Sequence, residues 1–424
     1  MRSVCARSLS TMLVTGRTRH LMRSARRGLS GGRGKGKHDV FYAVRVGQDN
    51  KGGAETSVVG ETLDSGVDMR NARPGEVVTV PYEVTFTTGL RDFWQSGFYS
   101  HDRLNTSTPF ARKLGMQDQV VPFSLMLFMT GAMSHADDAK VQVGFKNAQY
   151  HWPAFAGDSF TKRFTIKSLR STSAGMDSVF EIGCEMINQR DICVFSTEKT
   201  MMFPFAVPPS EVEAMVKPNE KEHAFLDHLI GQAEVLQKLG SQTLRSVRPG
   251  QLILHNMTRP LGLDYSMQLA TLGRLTHERH FNTHKFKESE LFTPGGLVFA
   301  LTCSLASRDL HEVLYEDLDQ CIFPCNLFPG EAISSMTFVK GLKEHVSGDI
   351  ESITVRTIGV KNCDVGTELA GKDVPMELLT GEMLKPAALE EMLKNKFPDL
   401  SRKIVCMADR TIYRQAPKHT PFLL

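Results

Sequence analysis

The stretch Val121-Pro122-Phe123-Ser124-Leu125-Met126-Leu127-Phe128-Met129-Thr130-Gly131-Ala132-Met133 decides the fold. From Phe123 to Met129 only Ser124 is polar, so a helix built on it has no polar face. Such a helix must be wrapped by protein on all sides. It is also too short for a membrane span, which needs roughly 18 or more apolar residues. A second segment of the same character, Gly295–Ala306, carries Leu297, Val298, Phe299, Leu301 and Leu305. Two wrapped helices in one chain of 424 residues point to a repeated unit.

Shorter matches flank both segments in the same order. Arg73-Pro74-Gly75-Glu76-Val77-Val78 returns as Arg248-Pro249-Gly250-Gln251-Leu252-Ile253, an offset of 175. Gly89-Leu90 returns as Gly262-Leu263, and Phe155-Ala156-Gly157-Asp158 as Phe328-Pro329-Gly330-Glu331, each at 173. After each apolar segment come alternating runs that read as strands: Phe160, Phe164 and Ile166, then Phe180, Ile182, Cys184 and Met186. In the second copy Ile353, Val355, Ile358 and Val360 behave alike. Gly175-Met176-Asp177 and Ser347-Gly348-Asp349 are turn signals between them. One helix sheathed by an antiparallel sheet is a hot-dog unit. The chain is therefore read as α+β, a double hot dog.

The organisation read from this is a unit over 70–207, a helix-prone linker over 208–244 opening at Pro209-Ser210-Glu211, and a unit over 245–424. The second unit carries an insertion near 364–404. It includes a helix over Pro386–Phe397 before a last strand around Ile404–Tyr413. Trp152-Pro153 reads as core packing.

The net charge of +3 is misleading. Residues 1–37 hold ten Arg and Lys and no acid, and residues 38–69 read as a flexible connection. Removing those ten from 50 bases leaves 40 against 47 acids, a net of −7. A body of that balance excludes general nucleic-acid binding, which needs a basic surface. The leading segment, rich in Arg and Ser with Met12, Leu13, Val14, Leu21 and Met22 between the charges, has the composition of a mitochondrial transit peptide. Without Cys5, seven cysteines remain at irregular spacing, which suits reduced thiols in a matrix compartment. Cys321 and Cys325 lack a second nearby pair, so no zinc site is expected there.

The run Asn105-Thr106-Ser107-Thr108-Pro109-Phe110-Ala111-Arg112-Lys113-Leu114-Gly115 resembles MaoC-like acyl-CoA hydratases. It is most similar to their double-hot-dog β-methylmalyl-CoA dehydratase (mesaconyl-CoA hydratase) branch. Phe155-Ala156-Gly157-Asp158 resembles the family's Pro-Gly-Asp turn. Leu269-Ala270-Thr271, His280-Phe281-Asn282 and Gly295-Gly296 are similar to that branch's second half. The likeness spans roughly residues 70–360. It implies addition or removal of water across the C2–C3 bond of an acyl thioester. An Asp and a His five residues apart move the proton, and a helix N-terminus binds the thioester oxygen.

Carried over, the acid and His positions fall on Ser100 and Asn105 in the first unit, and on Leu275 and His280 in the second. One histidine survives and neither aspartate does. Candidate replacements for the acid are Glu278, His277 and Asp264. The expected catalytic set is His280, Glu278 and Asn105. Gly295 and Gly296 would bind the thioester oxygen, while Asn282, Ser124 and Arg112 would contact substrate. Arg112 and Lys113 could meet CoA phosphates. His277, His280 and His284 have helical spacing but lack the Glu of a His-Glu-x-x-His zinc motif, so no metal is expected.

No cofactor is expected beyond the coenzyme A of the substrate. The expected partner is an acyl-CoA ligand, with a homodimer or a mitochondrial complex as the assembly, and no membrane span or nucleic acid. Two alternatives stay open. One is a catalytically degenerate accessory subunit of an ATP synthase, respiratory complex or ribosome. The other is an acyl-CoA thioesterase.

Overall fold

The computed structural model describes residue 67 and residues 69–133, 139–208, 223–243, 245–344 and 350–417. The basic segment 1–37, Pro209-Ser210-Glu211 and the turn at Ser347-Gly348-Asp349 lie outside the described residues.

The first half has β1 (Val77–Thr85), α1 (Thr88–Gly97), α2 (Phe123–Ala132), β2 (Val141–Tyr150), β3 (Ser159–Ser171), β4 (Ser178–Asn188) and β5 (Cys193–Phe203). The second has β6 (Leu252–Pro260), α3 (Leu263–Leu272), α4 (Gly295–Ala306), β7 (Val313–Ile322), β8 (Ala332–Glu344), β9 (Ile350–Lys361), α5 (Pro386–Lys396) and β10 (Ile404–Gln415). Short helices Ala224–Gly231 and Ala233–Leu239 lie between the halves in sequence.

All ten strands form one antiparallel sheet in the order β1-β3-β4-β5-β2-β7-β10-β9-β8-β6. Each half has the same internal order, and the second runs in reverse from the shared seam β2–β7. That is the arrangement of two hot-dog units joined edge to edge, as the sequence reading expected. Joining them removes two exposed strand edges.

The repeat reaches atomic detail. Gly75 and Gly250 both take φ +85°, which L side chains avoid. Gly75 N–H donates to the Ile166 carbonyl and Gly250 N–H to the Val339 carbonyl, both at 2.8 Å. Asp158 and Glu331 each accept from the backbone N–H three residues earlier, at 2.9 Å. Even the irregularities repeat: register breaks between Thr79 and Glu83 in the β1–β3 pair and between Leu254 and Thr258 in the β6–β8 pair. A bulge that recurs at matched positions bends both sheets alike around their helices.

The wrapped helices are as the patterning requires. In α2, Phe123, Leu125–Thr130 and Ala132 are buried, and in α4 so are Gly296–Thr302 and Ser304–Ala306. The two pack on each other at the centre. There Gly296 approaches Phe128 so closely that a Cβ would sit 2.9 Å from the Phe128 Cα. The strand residues Phe160, Ile182, Cys184, Met186, Ile353 and Val355 are all at most 2% exposed. Trp152 corrects the expectation of a core residue, being 41% exposed. The chain bends there after β2, and His151 turns inward instead, its Nε2 2.9 Å from Ser196 Oγ. Among the described residues no helix is long and apolar enough to cross a membrane.

Candidate active site

His280 closes a short 3-10 turn, Glu278–His280, which follows α3. The turn starts at His277, whose ring accepts from the Arg279 N–H and whose Nε2 bonds the Ala139 carbonyl in the first half. His280 Nδ1 lies 2.9 Å from the Phe292 carbonyl. A carbonyl only accepts, so Nδ1 carries the proton and Nε2 keeps its lone pair. Burial pushes the His280 pKa down to about 4, the neighbouring His277 adds to this, and the Phe292 bond opposes it. At neutral pH the ring is therefore uncharged and basic at Nε2.

The ring lines a solvent-open cavity, about 790 Å³ with the open solvent at its mouth included. The N-terminus of α4 forms part of its wall through Pro294, Gly295 and Gly296. Pro294 supplies no capping side chain. The Leu297 and Val298 N–H groups bond back to the Pro294 carbonyl. The Gly295 and Gly296 N–H groups, with no carbonyl four residues earlier in the helix, are left for a ligand. Phe128, Leu275, Phe292 and Phe323 give apolar walls, and Ala139–Gln142 bring the first half to the same cavity.

Two polar groups at this cavity escaped the sequence reading. The Thr293 hydroxyl and the Gln142 side-chain nitrogen are buried without a hydrogen-bond partner. A buried orphan donor is costly unless something binds it. The position of Thr293, directly before the glycine pair, could have flagged it. Gln142 comes from the other half and had no such signal.

The expected catalytic residues are not brought together. Leu275, at the family's acid position, lines the cavity. Glu278 does not: its carboxylate pairs with Lys285. Among the described residues no carboxylate lines this cavity, and the hydrogen-bond partner of His280 is a backbone carbonyl. Asn105 lies in a different cavity, tied to the Val120 carbonyl through Nδ2 at 2.9 Å. Ser124 is there too, accepting from Trp94 Nε1 at 3.3 Å. Asn282 caps the local turn, accepting from the His284 and Lys285 N–H groups. Arg112 is exposed and reaches the Gln117 carbonyl at 3.4 Å.

Solved structures share this fold. A protein described as a MaoC domain dehydratase from Chloroflexus aurantiacus J-10-fl superposes with a TM-score of 0.64 at 19% identity, covering 84% of this chain and 99% of its own. A conserved protein of Mycobacterium tuberculosis, essential for bacterial survival during infection and described as a double hotdog fold, gives 0.60 at 16%, covering 81% and 96%. A further MaoC-like dehydratase gives 0.52 at 12%, covering 81% and 98%. No family model matches the sequence. No curated protein matches it either. The chain thus has the double hot-dog fold found in MaoC-like dehydratases.

Proposed function

We propose that the chain is an acyl-CoA hydratase or dehydratase that works at the His280 cavity. The observation behind this is the pairing of a neutral histidine, lone pair free on Nε2, with the open N–H groups of Gly295 and Gly296 in one apolar cleft. The likeness to MaoC-like dehydratase structures agrees with it.

In the hydration direction, His280 Nε2 accepts a proton from water as its oxygen bonds C3 of the enoyl thioester. The C2–C3 π electrons move toward the thioester, and the charge on its oxygen is met by the two glycine N–H groups and the positive end of α4. The imidazolium then returns its proton to C2, and the ring is neutral again. Dehydration is the reverse. With no carboxylate among the described residues that line the cavity, one histidine serves as both base and acid, and the Phe292 carbonyl orients it.

The basic, acid-free residues 1–37 support a mitochondrial location for this activity. The test is incubation of the purified chain with crotonyl-, mesaconyl- and longer enoyl-CoA, following loss of the conjugated thioester. Turnover that vanishes in His280→Ala supports the reading, and turnover equal to that variant's ends it. Release of free CoA from a saturated acyl-CoA would indicate the thioesterase instead. The absence of a carboxylate among the described lining residues favours a second reading, an accessory subunit of a mitochondrial complex. Copurification in a stable assembly, with no turnover, would establish that one.

A further inference from the structure

The pseudo-symmetry places a second cavity, about 670 Å³ with the open solvent at its mouth included, where the first half's own site would fall. It is lined by Pro122, Phe123 and Ser124 at the head of α2, as the His280 cavity is lined by Pro294, Gly295 and Gly296 at the head of α4. The two prolines share one backbone conformation, φ −57° and ψ 139° against φ −52° and ψ 139°. Pro122 has no side-chain cap, and its carbonyl takes the Leu125 and Met126 N–H groups. The Phe123 and Ser124 N–H groups are open by the same argument as the glycine pair.

A second, independent feature points into this cavity. Arg410 lines it, is 5% exposed, and its Nε is buried with no hydrogen-bond partner. Its other nitrogens are held: Nη1 donates to Glu316 at 2.6 Å and Nη2 to the Thr357 hydroxyl at 3.1 Å. Glu316 is thereby held in an ion pair where it meets the cavity. Asp102 also lines it, with one carboxylate oxygen 2.7 Å from the Val313 N–H. Burial raises its pKa to about 7, with the negative charges of Glu316 and Glu312 adding to this against the Val313 bond. A carboxyl that is partly neutral at physiological pH can donate. The cavity therefore presents donors: two backbone N–H groups, a guanidinium and a carboxylic acid. Trp94, Phe98 and Phe123 supply apolar walls. Donors converging on an aromatic-walled cleft fit a carbonyl oxygen with a short apolar body behind it.

We propose that the first half is a second binding site, twin to the one at His280, which takes the carbonyl end of a short acyl group, as thioester or as free acid. Its ligand class follows from the same helix-terminus geometry as the proposed function, but its existence is tested separately. No proton-transfer role is assigned to it.

The test is calorimetric titration of the full chain with butyryl-CoA, which has no double bond to hydrate, and in parallel with butyrate. Two variants fill one cavity each: Ser100→Phe for the twin site and Leu275→Trp for the His280 site. The expected result is two sites per wild-type chain, falling to one in each variant. Asp102→Ala, which adds no bulk and removes the carboxyl, should weaken only the twin site, by about tenfold for one lost donor. Binding of butyrate at the twin site identifies the free acid as ligand, and binding of butyryl-CoA alone identifies the thioester. A single site, lost in Leu275→Trp and untouched by Ser100→Phe and Asp102→Ala, overturns this inference and leaves the proposed function standing. A single site with the opposite response supports the inference and removes the function. No binding at all overturns both.

Discussion

His280 Nδ1 is bonded to the carbonyl oxygen of Phe292 at 2.9 Å, where related chemistry would lead one to look for a carboxylate. The carbonyl fixes the tautomer as a carboxylate would, but it adds no negative charge. It therefore does little to stabilise the imidazolium. Burial wins, and the ring stays neutral. The first prediction concerns pH. A base with a pKa of about 4 is competent from neutral pH downward until it protonates, so turnover should hold to about pH 5 and fall through about pH 4. Stability should follow a related course. The unfolded ring binds a proton near 6.5 and the folded one only near 4, so the unfolded state holds more protons in that window. Folding stability should therefore fall as pH is lowered from about 6.5 to about 4. Thermal melts should show a shallower slope in His280→Gln, and that variant should lose about 10²- to 10⁴-fold in kcat.

Glu278 gives a sharp contrast. It is two residues from His280, yet its carboxylate points to Lys285 and away from the cavity. Glu278→Gln should keep kcat/KM within about twofold, since an exposed ion pair contributes little. A loss comparable with that of His280→Gln, measured on the same enoyl-CoA, would restore Glu278 as the missing acid.

Thr293 should separate function from stability. Its hydroxyl is buried and unpartnered at the cavity. In Thr293→Val a methyl replaces the hydroxyl, so the unbound protein should be as stable or more so. If substrate or its attacking water uses that hydroxyl, kcat/KM should drop about tenfold, the worth of one hydrogen bond of about 1.4 kcal/mol. Paired melts and steady-state kinetics read both effects. Unchanged kinetics would mean the hydroxyl faces no reactant.

Much of this architecture was legible before any coordinates. The all-apolar segment at Phe123–Met129 demanded wrapping, and the Arg-Pro-Gly turns at Gly75 and Gly250 marked equal points of two units. His280 and the glycine pair were legible because each depends on local chain geometry. What could not be read is what depends on pairing across the halves. Gln142 reaches the His280 cavity because β2 lies beside β7. Asp102 is held by Val313, 211 residues further on. Gly296 also carries a meaning the sequence alone concealed: its missing side chain is demanded by the Phe128 backbone as much as by any ligand.

The seam itself yields a stability prediction. Gly144 on β2 faces the Cys321 carbonyl on β7 so closely that a Cβ would lie 2.1 Å from that oxygen. The obstacle is backbone within a hydrogen-bonded ladder, which cannot rotate aside. Gly144→Ala should cost about 1–3 kcal/mol or more through overpacking. It should do so without touching either cavity, neither of which Gly144 lines. Denaturant unfolding of the full chain measures it.

Asp102 provides the opposite pH signature to His280. Its folded pKa of about 7 lies above the ordinary carboxylate value of 3.8. Between those values the folded state holds the proton and the unfolded state has released it. Stability should therefore fall as pH rises from about 4 to about 7, the reverse of the His280 contribution in the overlapping window. Asp102→Asn keeps an oxygen to accept from the Val313 N–H but cannot ionise. It should remove the falling part of the curve, so that wild type loses ground to the variant as the pH is raised. Because His280→Gln removes the rising part, the two substitutions should tilt the melting-temperature profile in opposite directions. The double variant should show the sum of the two, since each group lines a different cavity. Parallel tilts would mean that the two cavities do not titrate independently.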